Sequence, residues 1–273
     1  MFILLLFTIG ALWYIIGYWR RKAGEAAFAA ARLTEKSEER ERYCRLAVMA
    51  GHREACRMFC LLHPERFDGH SPHKPFKLRG IRISFYGYYY PSRYNALLND
   101  EQRAFCHSIY QFKQGDIHGI EFFKTCMNAL QLKKRPYHIM FMPCSNWIKY
   151  GQRFKRLDWY IGKHRQDLTS GLYDVDICDA RESLHEAKGG EKRILERNYL
   201  ITGKIKGKEI IIIDDVLTTG QSVADYKEEI ERCGGKVVAA IFYGKTLSMP
   251  SMLLVQIHVW GNHIAHIIER MTK

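Results

Sequence analysis

No Gly-x-x-x-x-Gly-Lys-[Ser/Thr] segment occurs in this chain. The nearest approach, Gly203-Lys204-Ile205-Lys206-Gly207-Lys208, is one residue short, lacks the hydroxyl and leads into a strand, which excludes a P-loop nucleotidase. The eight cysteines are scattered, and the closest pair, Cys56 and Cys60, has no second pair near it, so neither a zinc ribbon nor a disulfide framework is expected. His52, His63, His70 and His73 are joined by no carboxylate cluster, and their spacing matches no standard metal site; they read as surface residues. Acidic residues are in deficit, 29 against 42 Lys and Arg, for a formal charge of +13. Proline is scarce, with seven residues; Pro64, Pro72 and Pro75, together with Gly69, mark a linker. From Met1 to Tyr18 there is no charged side chain at all.

What is present is concentrated in Glu209 to Ser222. Ile210 to Ile213 read as a buried strand, because β-branched side chains suit a pleated surface and a parallel sheet hides both faces. The strand ends on Asp214 and Asp215, passes Val216 and Leu217, and enters the turn Thr218-Thr219-Gly220-Gln221-Ser222. Val223, Tyr226, Ile230 and Cys233 then recur at helical spacing, and Gly234-Gly235 stops the helix. The first amides of a helix lack internal partners and carry the positive end of its dipole, so a phosphate dianion is favoured there. Gly220 allows close backbone approach, and the Thr218, Thr219 and Ser222 hydroxyls add donors. Two carboxylates would repel a bare phosphate; as acceptors they suit the vicinal hydroxyls of a ribose. A ribose 5-phosphate group satisfies both halves. A response-regulator receiver also places two acids after a strand, but too few residues follow Asp215 to complete one. A strand ending in solvated acids would not account for the Thr-Thr-Gly-x-Ser turn.

The stretch resembles the signature of type I phosphoribosyltransferases for 5-phosphoribosyl 1-diphosphate (PRPP), with Asp214, Asp215, Thr218, Thr219, Gly220 and Ser222 on the matching positions. The resemblance implies an α/β fold, a mainly parallel sheet flanked by helices. It makes Asp214 and Asp215 the catalytic pair and Val216 through Ser222 the PRPP-binding turn. Upstream, His138 to Met142 is an apolar strand broken by Pro143-Cys144-Ser145-Asn146, which on the family pattern is the pyrophosphate loop. Arg181 to Asn198 is polar and carries Lys188-Gly189-Gly190, then Lys192 and Arg193. It matches the position of the flexible hood over PRPP, with Lys188, Lys192 and Arg193 as its cations. The family binds Mg²⁺ with PRPP, and no direct protein ligand to the metal is expected. Thr218 stands where enzymes acting on 6-oxopurines have an aspartate, which argues against hypoxanthine or guanine.

A narrower resemblance is to the ComF-type branch associated with DNA uptake. Phe85 to Tyr90, the amphipathic segment from Asp100, Phe112-Lys113-Gln114-Gly115-Asp116, Met142-Pro143-Cys144-Ser145 and Arg197-Asn198 echo its pattern over about residues 81–246. The Arg-Gly-Phe-Asn-Gln stretch of that branch is represented only by Arg153-Phe154-Lys155-Arg156, and its paired zinc cysteines are missing. Lys149, Arg153, Lys155, Arg156, Lys163 and Arg165 form either a solvated helix face or a cationic rim.

Residues 1–20 read as a transmembrane anchor. The run is long enough, Trp13, Tyr14, Tyr18 and Trp19 suit the interface, and Arg20-Arg21-Lys22 predicts a single pass with a cytoplasmic C-terminal side. A cleaved signal peptide would carry its charge before the apolar run, and a core helix would be apolar all round. Residues 23–67 predict a helical hairpin, with Tyr43 to Cys60 resembling one Sel1-like or tetratricopeptide-type repeat turning at Gly51; an ordinary hairpin spacer fits as well. A linker at 68–80, a catalytic domain at 81–246 and a strand-then-helix extension at 247–273, adding an edge element to the sheet, complete the expected order.

Formal charge of +13 suits PRPP, anionic lipid beside the anchor, or nucleic acid. The reading is therefore a membrane-tethered phosphoribosyltransferase-like protein acting on PRPP and a nitrogen acceptor. A catalytically silent PRPP-sensing scaffold in DNA uptake is the alternative. A protein partner on the hairpin, nucleic acid and a homodimer stay open.

Overall fold

The computed structural model describes residues 2–117, 119–177, 198–202 and 205–272, with the side chains of residues 2–7 left aside. It divides into two bodies, residues 1–69, 92–99 and 248–273 in one and residues 70–91 and 100–247 in the other.

The first body begins with α1 (Phe2–Leu33), α2 (Ser37–Met49), α3 (Arg53–Leu62) and the short α4 (Pro64–Asp68). Small residues let the helices close on one another: Ala31, Ala47 and Ala55 are fully buried, beside Cys44, Val48, Phe59 and Leu61. His52 caps α3, its Nδ1 accepting from the Ala55 amide at 3.2 Å. The chain turns between α2 and α3 at Gly51, which has φ +88°. Residues 1–20 belong to a longer helix, because the helix-favouring Ala-rich segment carries α1 unbroken through Arg20-Arg21-Lys22 to Leu33. Among the described residues no helix is long and apolar enough to cross a membrane.

The second body holds β1 (Phe76–Leu78), β2 (Ile81–Tyr89), α5 (Asp100–Gln114), α6 (Ile120–Leu130), β3 (Tyr137–Phe141), α7 (Trp147–His164), β4 (Leu168–Ser170), β5 (Val175–Ile177), β6 (Tyr199–Ile201), β7 (Glu209–Leu217), α8 (Gln221–Arg232) and β8 (Lys236–Thr246). A six-stranded sheet runs in the order β1-β2-β8-β7-β3-β4, parallel except for the edge strand β1, which lies within the expected linker. β5 and β6 form a separate antiparallel ribbon. The isoleucine run is the middle of the sheet, Ile210 to Ile213 wholly buried between β3 and β8.

Aromatic packing fixes the helices on one face. Tyr243 of β8 stacks on Phe122 of α6 at 4.6 Å and meets Phe112 of α5 at 5.5 Å, while Phe154 of α7 lies 4.8 Å from Phe141 of β3. From β3 the chain crosses through α7 to β4 in one direction along the sheet. From β7 it crosses through α8 to β8 in the other. Right-handed crossovers in opposite directions put α7 and α8 on opposite faces and open a crevice between the carboxyl ends of β3 and β7.

At the foot of β3, away from that crevice, His138 Nε2 is 2.7 Å from Asp174 Oδ2 and its Nδ1 is 2.7 Å from Thr169 Oγ1. This buried contact ties β3 to β4 and to the start of the β5-β6 ribbon.

The tail returns to the first body as α9 (Met252–Met271). The strand expected at its start, and with it the added sheet edge, is corrected: Val255 and Val259 are buried four residues apart, which is helical spacing, and Ser251 caps the helix by accepting from the Leu254 amide at 3.3 Å.

Candidate functional site

β3 and β7 pair only as far as Phe141 and Ile213, and the Met142 amide makes the last cross-strand bond to the Ile213 carbonyl at 2.9 Å. β7 continues against β8 through Leu217, so Asp214 is the first residue with no β3 neighbour. The acid pair therefore stands where the sheet parts. The Asp215 amide donates to Asp214 Oδ1 at 2.7 Å, and the Val216 amide donates to Asp215 Oδ1 at 2.6 Å. Burial, followed by the neighbouring Asp215 carboxylate, holds Asp214 well above the usual carboxylate range.

The turn beyond the pair is open. Thr218, Thr219, Gln221 and Ser222 are exposed; the N-cap of α8 is Gly220, which has no side chain to offer, and the Thr219 hydroxyl accepts from the Gln221 amide at 3.4 Å. Gly220 there has φ +76°, the left-handed region, and a Cβ on it would meet Leu78 Cδ2 at 2.6 Å. Arg79 reaches the same turn, its Nε 3.5 Å from the Thr219 carbonyl. Val216 is half-buried, whereas the Leu217 side chain belongs to the core, so only its backbone faces the site.

Across the crevice, Pro143 to Asn146 leads into the second helix N-terminus. Asn146 caps α7 by accepting from the Lys149 amide at 2.9 Å. Asn198 donates its side-chain amide to the carbonyls of Cys144 and Ser145. The Cys144 thiol is buried and pushed up to about 12, chiefly by desolvation. Two helix N-termini thus flank one pair of carboxylates, an arrangement suited to a ligand with phosphate at both ends and a diol between. Lys188, Lys192 and Arg193 lie outside the described residues.

Two cations that residue patterns alone left undecided stand against the acids. Arg153 Nη1 of α7 is 2.8 Å from Asp215 Oδ2 and 3.8 Å from Asp214 Oδ1, and Lys113 Nζ of α5 is 3.3 Å from Asp215 Oδ2. Of the basic run on α7, Arg153 points inward, while Lys149, Lys155, Arg156 and Lys163 remain on the solvated face. The signal that could have singled out Lys113 and Arg153 was their place in the ComF-like echoes; charge composition could not. Among the described residues no three His, Cys, Asp or Glu side chains gather to hold a metal ion.

Residues 166–246 match the family described as Phosphoribosyl transferase domain. Over 57 residues the chain is also 42% identical to an orotate phosphoribosyltransferase of Sulfolobus acidocaldarius. That likeness covers 20% of this chain and 26% of the archaeal protein. The mainly parallel sheet with flanking helices fits the type I phosphoribosyltransferase fold.

Proposed function

We propose that this protein binds Mg²⁺-PRPP in the crevice between β3 and β7 and transfers the phosphoribosyl group to a nitrogen acceptor, releasing pyrophosphate. The observation that carries the reading is the acid pair at the parting of the sheet, beside the exposed turn and the glycine-initiated N-terminus of α8. The amides and hydroxyls of Thr218 to Ser222 hold the 5′-phosphate, Asp214 and Asp215 accept from the ribose hydroxyls, and the Pro143 to Asn146 loop meets the diphosphate. The carboxylates are hard oxygen donors, but Arg153 and Lys113 already stand against Asp215. The residues therefore fit a magnesium ion that arrives on substrate oxygens and keeps its waters. Its chemistry, when bound, is to neutralise the diphosphate. Preorganised donors at the leaving group supply the catalysis as charge develops there.

The ComF-type branch is the finer reading, supported by the meeting of Lys113 and Arg153, from two of its echoed segments, at the acid pair. A pyrimidine such as orotate belongs among the acceptors to be tried, given the archaeal relative.

The test is calorimetric titration of the chain with Mg²⁺-PRPP, then pyrophosphate release with a panel of purine and pyrimidine bases. Asp215→Asn should weaken PRPP binding by about 1.5–3 kcal/mol, the scale of a charge-assisted hydrogen bond. An unchanged affinity would remove the assignment. Binding without release against any base would leave a PRPP sensor in place of an enzyme.

A further inference from the structure

We infer that Lys113 and Arg153 are exchangeable counter-ions of the acid pair: with PRPP bound they turn from the carboxylates to the diphosphate, as the ribose diol takes their place. This deepens the ribose-phosphate reading above and rests on it.

The argument starts from charge. Asp214 and Asp215 stand beside the position where a diphosphate of several negative charges must lie, and two bare carboxylates there would oppose binding. Lys113 and Arg153 set positive charge against the pair, chiefly at Asp215. Both cations reach the site from helices on the same face of the sheet, and both touch the same Asp215 oxygen, Arg153 at 2.8 Å and Lys113 at 3.3 Å. Two donors fill both lone-pair sites of that oxygen, so one can leave without stranding the acid. Arg153 is mostly buried: its side chain is 15% exposed, its guanidinium carbon lies 5.7 Å from the Phe154 ring centroid, and among the described residues its buried Nε has no hydrogen-bond partner. An unpartnered guanidinium N–H is a donor in reserve, and the planar fork suits a phosphate as well as a carboxylate.

The chain has invested backbone geometry in this juxtaposition. α5 ends in a Schellman closure, the Asp116 amide bonding to the Gln111 carbonyl and the Gly115 amide to the Phe112 carbonyl. Gly115 has φ +81°, and a Cβ there would lie 2.5 Å from the Gln152 carbonyl oxygen. Only glycine brings the end of α5 this close to α7, one residue before Arg153 and two after Lys113. The contact sets the two cations side by side over the acids.

The exchange predicts that the two cations discriminate between PRPP and ribose 5-phosphate, which has the same phosphate and diol but no diphosphate. The full chain would be titrated with each ligand as wild type, Lys113→Gln and Arg153→Lys. Lys113 is one-third exposed, so its variant tests the proposal even if a change at the more buried Arg153 impairs folding. The expected result is a loss of about tenfold or more in PRPP affinity for Lys113→Gln, with ribose 5-phosphate affinity changed less than about twofold. Arg153→Lys keeps the charge but not the fork and should show a smaller selective loss. Equal weakening of both ligands would mean the cations merely hold the acids in place and would overturn the exchange. Tighter binding of both would mean they only block the site, and would overturn it equally. A wild-type chain that binds neither ligand would fail at the ribose-phosphate reading itself, a result distinct from either.

Discussion

Asn198 donates its side-chain amide to the Cys144 carbonyl at 3.2 Å and to the Ser145 carbonyl at 3.4 Å, so one buried residue before β6 holds both central carbonyls of the loop after β3. With those carbonyls turned toward Asn198, the loop backbone is held in one conformation beside the crevice. Asn198→Ala removes the shared donor. PRPP should bind about tenfold more weakly, on the scale of one lost hydrogen bond, while ribose 5-phosphate, which does not extend to this loop, binds as before. Calorimetry with both ligands checks this; equal loss for the two would move the role of Asn198 from the loop to general stability.

Gly220 is the hinge between strand β7 and helix α8, with φ +76°. Gly220→Ala forces an L residue into the left-handed region at a cost of about 1–2 kcal/mol. The added Cβ also meets Leu78 Cδ2, the end of a flexible side chain that can turn aside, so strain and not collision sets the penalty. The expected outcome is a folded protein with Tm lowered by several degrees and markedly weaker ribose 5-phosphate binding, because the α8 amides no longer align. A variant with a lowered Tm but wild-type affinity would place the phosphate elsewhere.

His138 gives the fold a pH dependence. Burial, and then the neighbouring Lys208, push its pKa below the ordinary histidine value, against the opposing pull of Asp174. A histidine depressed in the folded state takes its proton first in the unfolded chain. Its contribution is therefore fully present above about pH 6.5 and is lost as pH falls below it. Denaturant midpoints measured across that range should drop on the acid side. His138→Gln keeps hydrogen-bonding capacity but cannot titrate, so it should start lower at neutral pH and fall less steeply. Parallel slopes for the two proteins would assign the acid sensitivity to another group.

How much of this was legible in the residues differs from one element to the next. The four isoleucines announce β7, because β-branched side chains suit a pleated surface and a parallel sheet covers both faces of the strand. The turn at Thr218 to Ser222 is local chemistry, and local chemistry is readable. Lys113 and Arg153 were not readable as a pair: far apart along the chain, they meet at Asp215 only because two helices share a face of the sheet. The start of α9 misled for a specific reason. Val255-Gln256-Ile257-His258-Val259 alternates apolar and polar with period two, as a strand would, yet Leu253, Ile257, Trp260, Ile264 and Ile267 repeat at helical spacing over a longer stretch, and the longer period wins. At the N-terminus the apolar run was legible, but not that its helix continues through three basic residues.

Gly115 provides the sharpest test of how the site is built. Its φ of +81° alone costs an alanine about 1–2 kcal/mol. Here, unlike at Gly220, the Cβ would strike main chain, the Gln152 carbonyl at 2.5 Å, which no side-chain rotation relieves. α5 and α7 must therefore separate. Phe112, fully buried against Phe154 at a ring distance of 5.9 Å, would resist the separation, so the strain falls on the end of α5, where Lys113 sits. Gly115→Ala should cost more than about 2 kcal/mol in denaturant unfolding and should carry Lys113 away from Asp215. PRPP affinity should then fall toward that of Lys113→Gln, and combining the two substitutions should add little further loss in affinity, since both remove the same contact. Full additivity in the double variant would show that Gly115 serves stability alone and that the approach of α5 to α7 has no part in placing the cation.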